Sequence, residues 1–302
     1  MKVALYNVNS FGTRMNLDLG MLAKHAEIVL DPAQADVVLC WKNQPPGVEA
    51  ATCIIIQTEP PAASNIKATY ANAAAFRAFY TFDPESLGCG EAITADPLCF
   101  PYIPGMKDAR PIPEDLAEGI RFYFAGMKGN WGLHTLHGAQ CVYQKRYETA
   151  VALRDRYPGS MVVGKGFEEV TKFADKGFRD QKFEDLEACA ATFMLCFENF
   201  SLRNYVSEKI HDGFRSGLPF LYFGAPNISD LVPDDCFINL RHYLSADVFD
   251  HPRLFADLEA MTARDRIAMA RRAREFSGSF DSRFVEARQE LTRRIIERIS
   301  AG

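Results

Sequence analysis

Short apolar runs separated by helix-like segments recur through both halves of this chain, and that alternation leaves it few architectures. KVALYNV (2–8), ADVVLCW (35–41) and CIIIQTE (53–59) read as strands. Between the first two lie a helix-like segment, MNLDLGMLAKHA (15–26), and a short strand, EIVL (27–30). Strand–helix–strand punctuation predicts a parallel sheet covered by helices. The second half repeats the logic. RFYFAGM (121–127), GSMVVGKG (159–166), TFMLCFEN (192–199) and LPFLYFG (218–224) read as strands. KRYETAVALRDRY (145–157), KFEDLEACA (182–190) and SEKIHDGFRSG (207–217) read as helices, and two helical segments near Leu254–Phe276 and Ser282–Ile299 close the chain. Prolines in CFPYIPGMKDARPIPEDL (99–116) interrupt any regular element and mark a linker. The expectation is an α/β fold of two Rossmann-like domains facing across a cleft, divided as 1–110 and 111–302.

Composition narrows the class. A 48% hydrophobic and 24% charged chain of 302 residues is that of a soluble globular protein, and a net charge of −5 argues against a generic nucleic-acid binder. No apolar run approaches the roughly 20 residues a membrane span needs. MKVALYNVNS reads as a first strand rather than a signal peptide. The eight cysteines form no CxxC pair and several lie inside apolar runs, so reduced, buried cysteine and a cytoplasmic location are expected.

Three motifs fall away on inspection. GSMVVGKG approaches a phosphate-binding P-loop, but Gly166 stands where a magnesium-holding hydroxyl is needed. GMKGNWG lacks the dinucleotide glycine spacing, and His134 and His137 have no third metal ligand in view.

The segment that stands out is LCFENFSLRNYVSEKIHDGF (195–214). A buried strand ends at Glu198-Asn199 and a helix starts near Ser207, a good N-cap. In an open α/β sheet ligands bind beyond the carboxyl ends of the strands. Free N–H groups and the positive dipole end at a helix start favour an anion, typically a phosphate. Lys209 in the first turn opposes the dipole unless a diphosphate sits beside it, and a carboxylate close by can accept hydrogen bonds from ribose hydroxyls. Taken singly, the same residues are also what a plain helix cap looks like.

The whole pattern, FMLCFENFSLRNYVSEKIHDGF, resembles the donor-binding signature of the α1,3/4-fucosyltransferase family, in which F-x-L-x-F-E-N precedes Y-V-T-E-K. Ser207 replaces the threonine. APNISDLVPDDCFINLRHYLSADVF (225–249) resembles the family's continuation, and CIIIQTE with FYTFDPE (79–85) resembles its first-domain elements. The resemblance implies a GT-B fold and inverting transfer of fucose from GDP-fucose to a glycan hydroxyl, of bacterial surface polysaccharide or lipopolysaccharide type. It implies a GDP-sugar donor and a glycan acceptor as partners, no nucleic acid, no obligate cofactor or metal, and peripheral membrane contact only through a lipid-linked acceptor. It makes Glu59 the catalytic base, with Asp83 and Glu85 next in line. Donor binding falls to Arg146, with Lys145 as the other candidate, and to Glu198, Asn199, Tyr205, Ser207, Glu208 and Lys209. Two alternatives stay open: a transferase of the same fold using another GDP-sugar, and an inactive sugar-nucleotide binding protein.

Overall fold

The computed structural model describes residues 1–7, 17–58, 67–99, 109–116, 119–126, 135–136, 139–164, 166–167 and 178–301. The first half contains β1 (Lys2–Tyr6), α1 (Leu19–Leu22), β2 (Glu27–Val29), β3 (Val37–Trp41), β4 (Cys53–Ile56), α2 (Lys67–Ala71), β5 (Ala78–Thr81), α3 (Pro84–Leu87) and β6 (Glu91–Ala92). Its strands form one sheet in the order β2-β1-β3-β4-β5-β6, with every pairing parallel. Every residue of β3, β4 and β5 is buried. That is why these runs are continuously apolar rather than alternating: a parallel strand is covered on both faces.

The second half contains β7 (Phe122–Ala125), β8 (Thr135–Leu136), β9 (Ala139–Cys141), α4 (Tyr143–Arg156), β10 (Met161–Val163), α5 (Phe178–Ala188), β11 (Phe193–Phe197), β12 (Phe200–Ser201), α6 (Glu208–Arg215), β13 (Phe220–Phe223), α7 (Ile228–Leu231), β14 (Ile238–Asn239), β15 (Leu244–Ser245), β16 (Val248–Phe249), α8 (His251–Ala260), α9 (Ala263–Ser277) and α10 (Phe280–Ser300). Its main sheet has the order β10-β7-β11-β13-β14, again all parallel. The chain leaves β7 for β10 on one side and returns to β11 on the other. Beyond the carboxyl ends of β7 and β11 lies the topological switch point, where such sheets open a crevice. Both sheets with their flanking helices make two Rossmann-like units.

The two units share core. Phe200, Leu202 and Tyr205, which follow β11, pack into the hydrophobic cluster of the first sheet, where the Phe82 ring meets Tyr205 edge-on at 5.3 Å. Helix α10 does the same from the other side. Its first turns bury Phe280 and Phe284 against α6, and its last turns bury Leu291, Ile295 and Ile299 against the first sheet. Polar ties follow the same path: Arg294 donates to the Ala92 carbonyl (2.7 Å), and Arg77 to that of Arg298 (3.2 Å).

Four expectations change. The closing segment 254–276 is two helices, because Met261 turns extended and Thr262 with Asp265 forms a capping box that starts α9 afresh. The helix after it begins at Phe280, ahead of Ser282. The stretch between β7 and α4, which gives no periodic signal, carries short antiparallel strands, β9 pairing with both β8 and β12. Of the helix expected over 15–26, the described part is helical only over Leu19–Leu22, capped by Asp18. All eight cysteines are free, six of them buried.

Candidate functional site

The carboxyl edge of the second sheet gathers the polar groups. Glu198 extends β11, its N–H donating to the Phe223 carbonyl (2.8 Å), and its side chain is fully buried. Glu198 Oε1 accepts from the Ser207 N–H (2.7 Å) and the Tyr222 hydroxyl (3.3 Å), and Oε2 accepts from the Ser207 hydroxyl (2.5 Å). Gly224 makes room for this: a Cβ there would stand 2.4 Å from Glu198 Cγ and 2.4 Å from the Tyr222 oxygen. Burial pushes the Glu198 carboxyl above its usual range, with Lys209 opposing.

Ser207 is the N-cap of α6, and Lys209 folds back over it. Lys209 Nζ donates to Ser207 Oγ (2.8 Å) and Glu208 Oε1 (3.1 Å), and lies 3.5 Å from Glu198 Oε2. Burial alone would lower the ammonium, but Glu208 and Glu198 hold it above its ordinary value. A lysine at a helix N-terminus opposes the dipole; here two carboxylates compensate it and leave its head partly exposed.

Arg146 lies in the first turn of α4, also against the dipole. Its guanidinium stacks over the Tyr143 ring at 4.2 Å, and Nη1 donates to Asn199 Oδ1 (2.9 Å). Burial lowers its pKa, while Tyr143 and Glu198 act the other way. Lys145, the alternative, is instead held 2.7 Å from Asp247 at the turn between β15 and β16. Tyr205 is buried between Phe82 and Phe200, so its ring joins the two units. Arg146, Glu198, Asn199, Ser207, Glu208 and Lys209 thus stand around one crevice, with Glu198 behind the others.

Glu59 lies outside the described residues. Gln57, two positions before it, is buried past the end of β4, its N–H donating to the Tyr80 carbonyl (2.8 Å). Asp83, past the end of β5, is 2% exposed, and Oδ1 accepts from the Ser86 N–H at the start of α3. Its Oδ2 is buried with no hydrogen-bond partner among the described residues. Glu85 is exposed in the first turn of α3. His134 and His137 also fall outside the described residues. Among the described residues no group of three His, Cys, Asp or Glu could hold a metal ion, and no helix is long and apolar enough to cross a membrane.

No family model matches the chain. A stretch of 78 residues, 26% of this chain, is 31% identical to GDP-fucose protein O-fucosyltransferase 3 of Xenopus laevis, and 75 residues, 24%, are 32% identical to the Bos taurus protein of that name. The matches span 16% and 15% of those proteins' lengths. Two solved structures of an alpha1,3-fucosyltransferase, one of them with GDP-fucose, align with 89% of this chain and 80% of theirs, each at a TM-score of 0.52 and 17% identity. The fold is GT-B-like.

Several residues of this crevice escape a sequence reading. Tyr222 lies in an unbroken apolar run and is known as a partner of Glu198 only through the register that pairs it with Cys196. Tyr143 lies three positions before Arg146, the one local hint that the ring could carry the guanidinium. Arg241, in the turn after β14, donates to Ser201 Oγ and to the Gly224 carbonyl (2.9 Å), tying β12 to the exit of β13. The crevice therefore offers cations and a helix start for a diphosphate, and the partly exposed Glu208 for a diol.

Proposed function

We propose that this chain is an inverting glycosyltransferase that transfers fucose from GDP-fucose to a hydroxyl of a glycan acceptor. The observation that carries the reading is the convergence of Arg146, Asn199, Ser207, Glu208 and Lys209 at the switch point of the second sheet. Lys209 and Arg146, with the α6 N-terminus, stabilise charge developing on the leaving diphosphate. Such preorganised cations supply what a metal ion would otherwise supply, so no obligate metal enters. Glu208 accepts from the ribose hydroxyls. Glu59, three positions after β4 in the sequence, takes the acceptor proton as the hydroxyl attacks the anomeric carbon, a role that contributes about 10²–10⁴-fold. The acceptor is a cytoplasmic precursor of a surface polysaccharide or lipopolysaccharide, which brings the protein to a membrane only through a lipid-linked acceptor.

The gathered groups address charge and a diol, features every GDP-sugar shares, so the same site favours as second reading a transferase using another GDP-sugar. Donor hydrolysis with GDP-fucose, GDP-mannose and other GDP-sugars separates the two. Turnover of GDP-fucose alone supports the first reading and turnover of a different GDP-sugar the second. Binding without turnover of any of them would point to an inactive sugar-nucleotide binding protein.

A further inference from the structure

Glu198 has no access to water, yet it faces the groups that a donor would engage. The charged and titratable groups around it are Lys209 and Glu208 from α6, Tyr222 from β13, Arg146 from α4 and Cys196 from its own strand. Of these, Lys209 and Arg146 are the positive ones, and both are aimed at the diphosphate in the reading above. In the free protein one ammonium serves two carboxylates, lying 3.5 Å from Glu198 Oε2 and 3.1 Å from Glu208 Oε1. A diphosphate arriving at Lys209 adds negative charge to that cluster and competes for the ammonium. A sealed carboxylate that loses its share of a cation has its pKa driven further up, which favours proton uptake.

We propose that donor binding takes up one proton at Glu198 and that the protonated carboxyl turns the Ser207 hydroxyl toward the diphosphate. The inference rests on the donor-site reading and deepens it. Of the two carboxylates Glu198 is the one to protonate, because it is fully buried, whereas Glu208 is partly exposed to water. The balance is simple. One proton from solvent adds to Glu198 Oε2. The new O–H then donates to Ser207 Oγ along the line where Ser207 now donates to it at 2.5 Å. The Ser207 hydrogen, freed from Oε2, rotates about the Cβ–Oγ bond onto a phosphate oxygen. Glu198 Oε1 keeps its bonds from the Ser207 N–H and Tyr222, Lys209 stays protonated, and no bond of the donor breaks. Ser207 thus changes from a donor to Glu198 into a donor to the ligand, and Glu198 acts as a positioning residue.

Calorimetric titration of the full chain with GDP-fucose, in pairs of buffers of different ionisation enthalpy, reads the proton count directly; the diphosphate diester has no group that titrates near neutrality. Uptake approaching one proton per donor is expected, with affinity falling up to about tenfold per pH unit as pH rises between the free-state and bound-state pKa of Glu198. Glu198→Gln places an amide N–H where the new O–H would be. It should bind GDP-fucose with no uptake and with affinity independent of pH. Binding by the wild type without uptake anywhere from about pH 6 to about pH 9 would overturn the relay, whatever the variant does. Unchanged uptake in Glu198→Gln would overturn its assignment to Glu198. No binding of GDP-fucose, GDP-mannose or GDP would overturn the donor site itself, and the relay with it.

Discussion

At the scale of single residues, the crevice is built from charges that local structure disfavours and tertiary partners retain. Lys209 opposes its helix dipole and is kept by Glu198 and Glu208; truncating it should weaken GDP binding by about 1.5–3 kcal/mol, the usual size of one charge-assisted contact. Wild-type GDP affinity in Lys209→Ala would mean that its ammonium serves Glu198 and Glu208 alone and does not reach the donor. Gly224 is set by close approach rather than by backbone conformation. In Gly224→Ala the new methyl would meet Glu198 and Tyr222, each 2.4 Å away, so a loss of about 1–3 kcal/mol of stability is expected together with weaker GDP binding. A variant equal to wild type in melting and affinity would mean the Glu198–Tyr222 contact can open freely. Glu59→Gln keeps size and hydrogen bonding but cannot take a proton. Its transfer rate should fall by about two to four orders of magnitude at unchanged GDP affinity. Asp83→Asn is the matched comparison, since Asp83 Oδ2 is a buried carboxylate oxygen without a partner among the described residues. Should Asp83→Asn show the large fall and Glu59→Gln near-normal turnover, the base is Asp83.

At the scale of elements, the hairpin of β15 and β16 shows how a site-bearing helix is held from outside. Its two turn residues, Ala246 and Asp247, have φ of 46° and 68°. That left-handed pair is the tight hairpin turn that sequences usually fill with Asn-Gly. Asp247 is worth the strain, since it holds Lys145 at 2.7 Å and accepts from Gln140 at 3.2 Å, fixing the start of α4 just ahead of Arg146. Ala246 makes no such contact, and an L-residue with a Cβ costs about 1–2 kcal/mol there. Ala246→Gly should therefore raise stability by about 0.5–1 kcal/mol after the greater flexibility of the unfolded chain is counted. Urea denaturation measures this, and a lower midpoint would show that the methyl packs usefully. The start of α6 is held from inside instead, by Glu198 at the end of the neighbouring strand.

At the scale of the whole molecule, α10 runs from one core into the other, and Phe82 and Tyr205 join the two sheets near their carboxyl edges. Each buried Leu or Ile of its last turns contributes about 1.5–3 kcal/mol to that junction. The two units should consequently unfold together. GDP at about 100 times its dissociation constant adds roughly 2.7 kcal/mol by mass action. That stabilisation should reach Trp41, which is buried in the core of the first sheet, away from the crevice. With Trp131 replaced by Phe, the fluorescence transition of Trp41 should move up in temperature along with the far-UV transition. A Trp41 transition indifferent to GDP would mean that the units melt independently.

What the sequence determined by itself is whatever short-range chemistry encodes. Continuously apolar runs such as Cys53–Ile56 and Phe193–Phe197 announce covered parallel strands, because their neighbours in space are apolar on both faces. Ser207 announces the start of α6 because capping is a contact between residues two apart. The order of strands, and hence the switch point, lies beyond that reach. So do the register that sets Tyr222 beside Glu198 and the path of α10 across both cores. A two-residue strand such as β8 carries no period at all, and the break at Met261 depends on a cap that competes with an otherwise continuous helical pattern. The largest shift is at Glu198. From sequence it is one more carboxylate at a strand end, free to meet a ligand. Only the packing of β13 against β11, with a glycine at 224 to admit it, seals that carboxylate from water and makes it the support of the site rather than its surface.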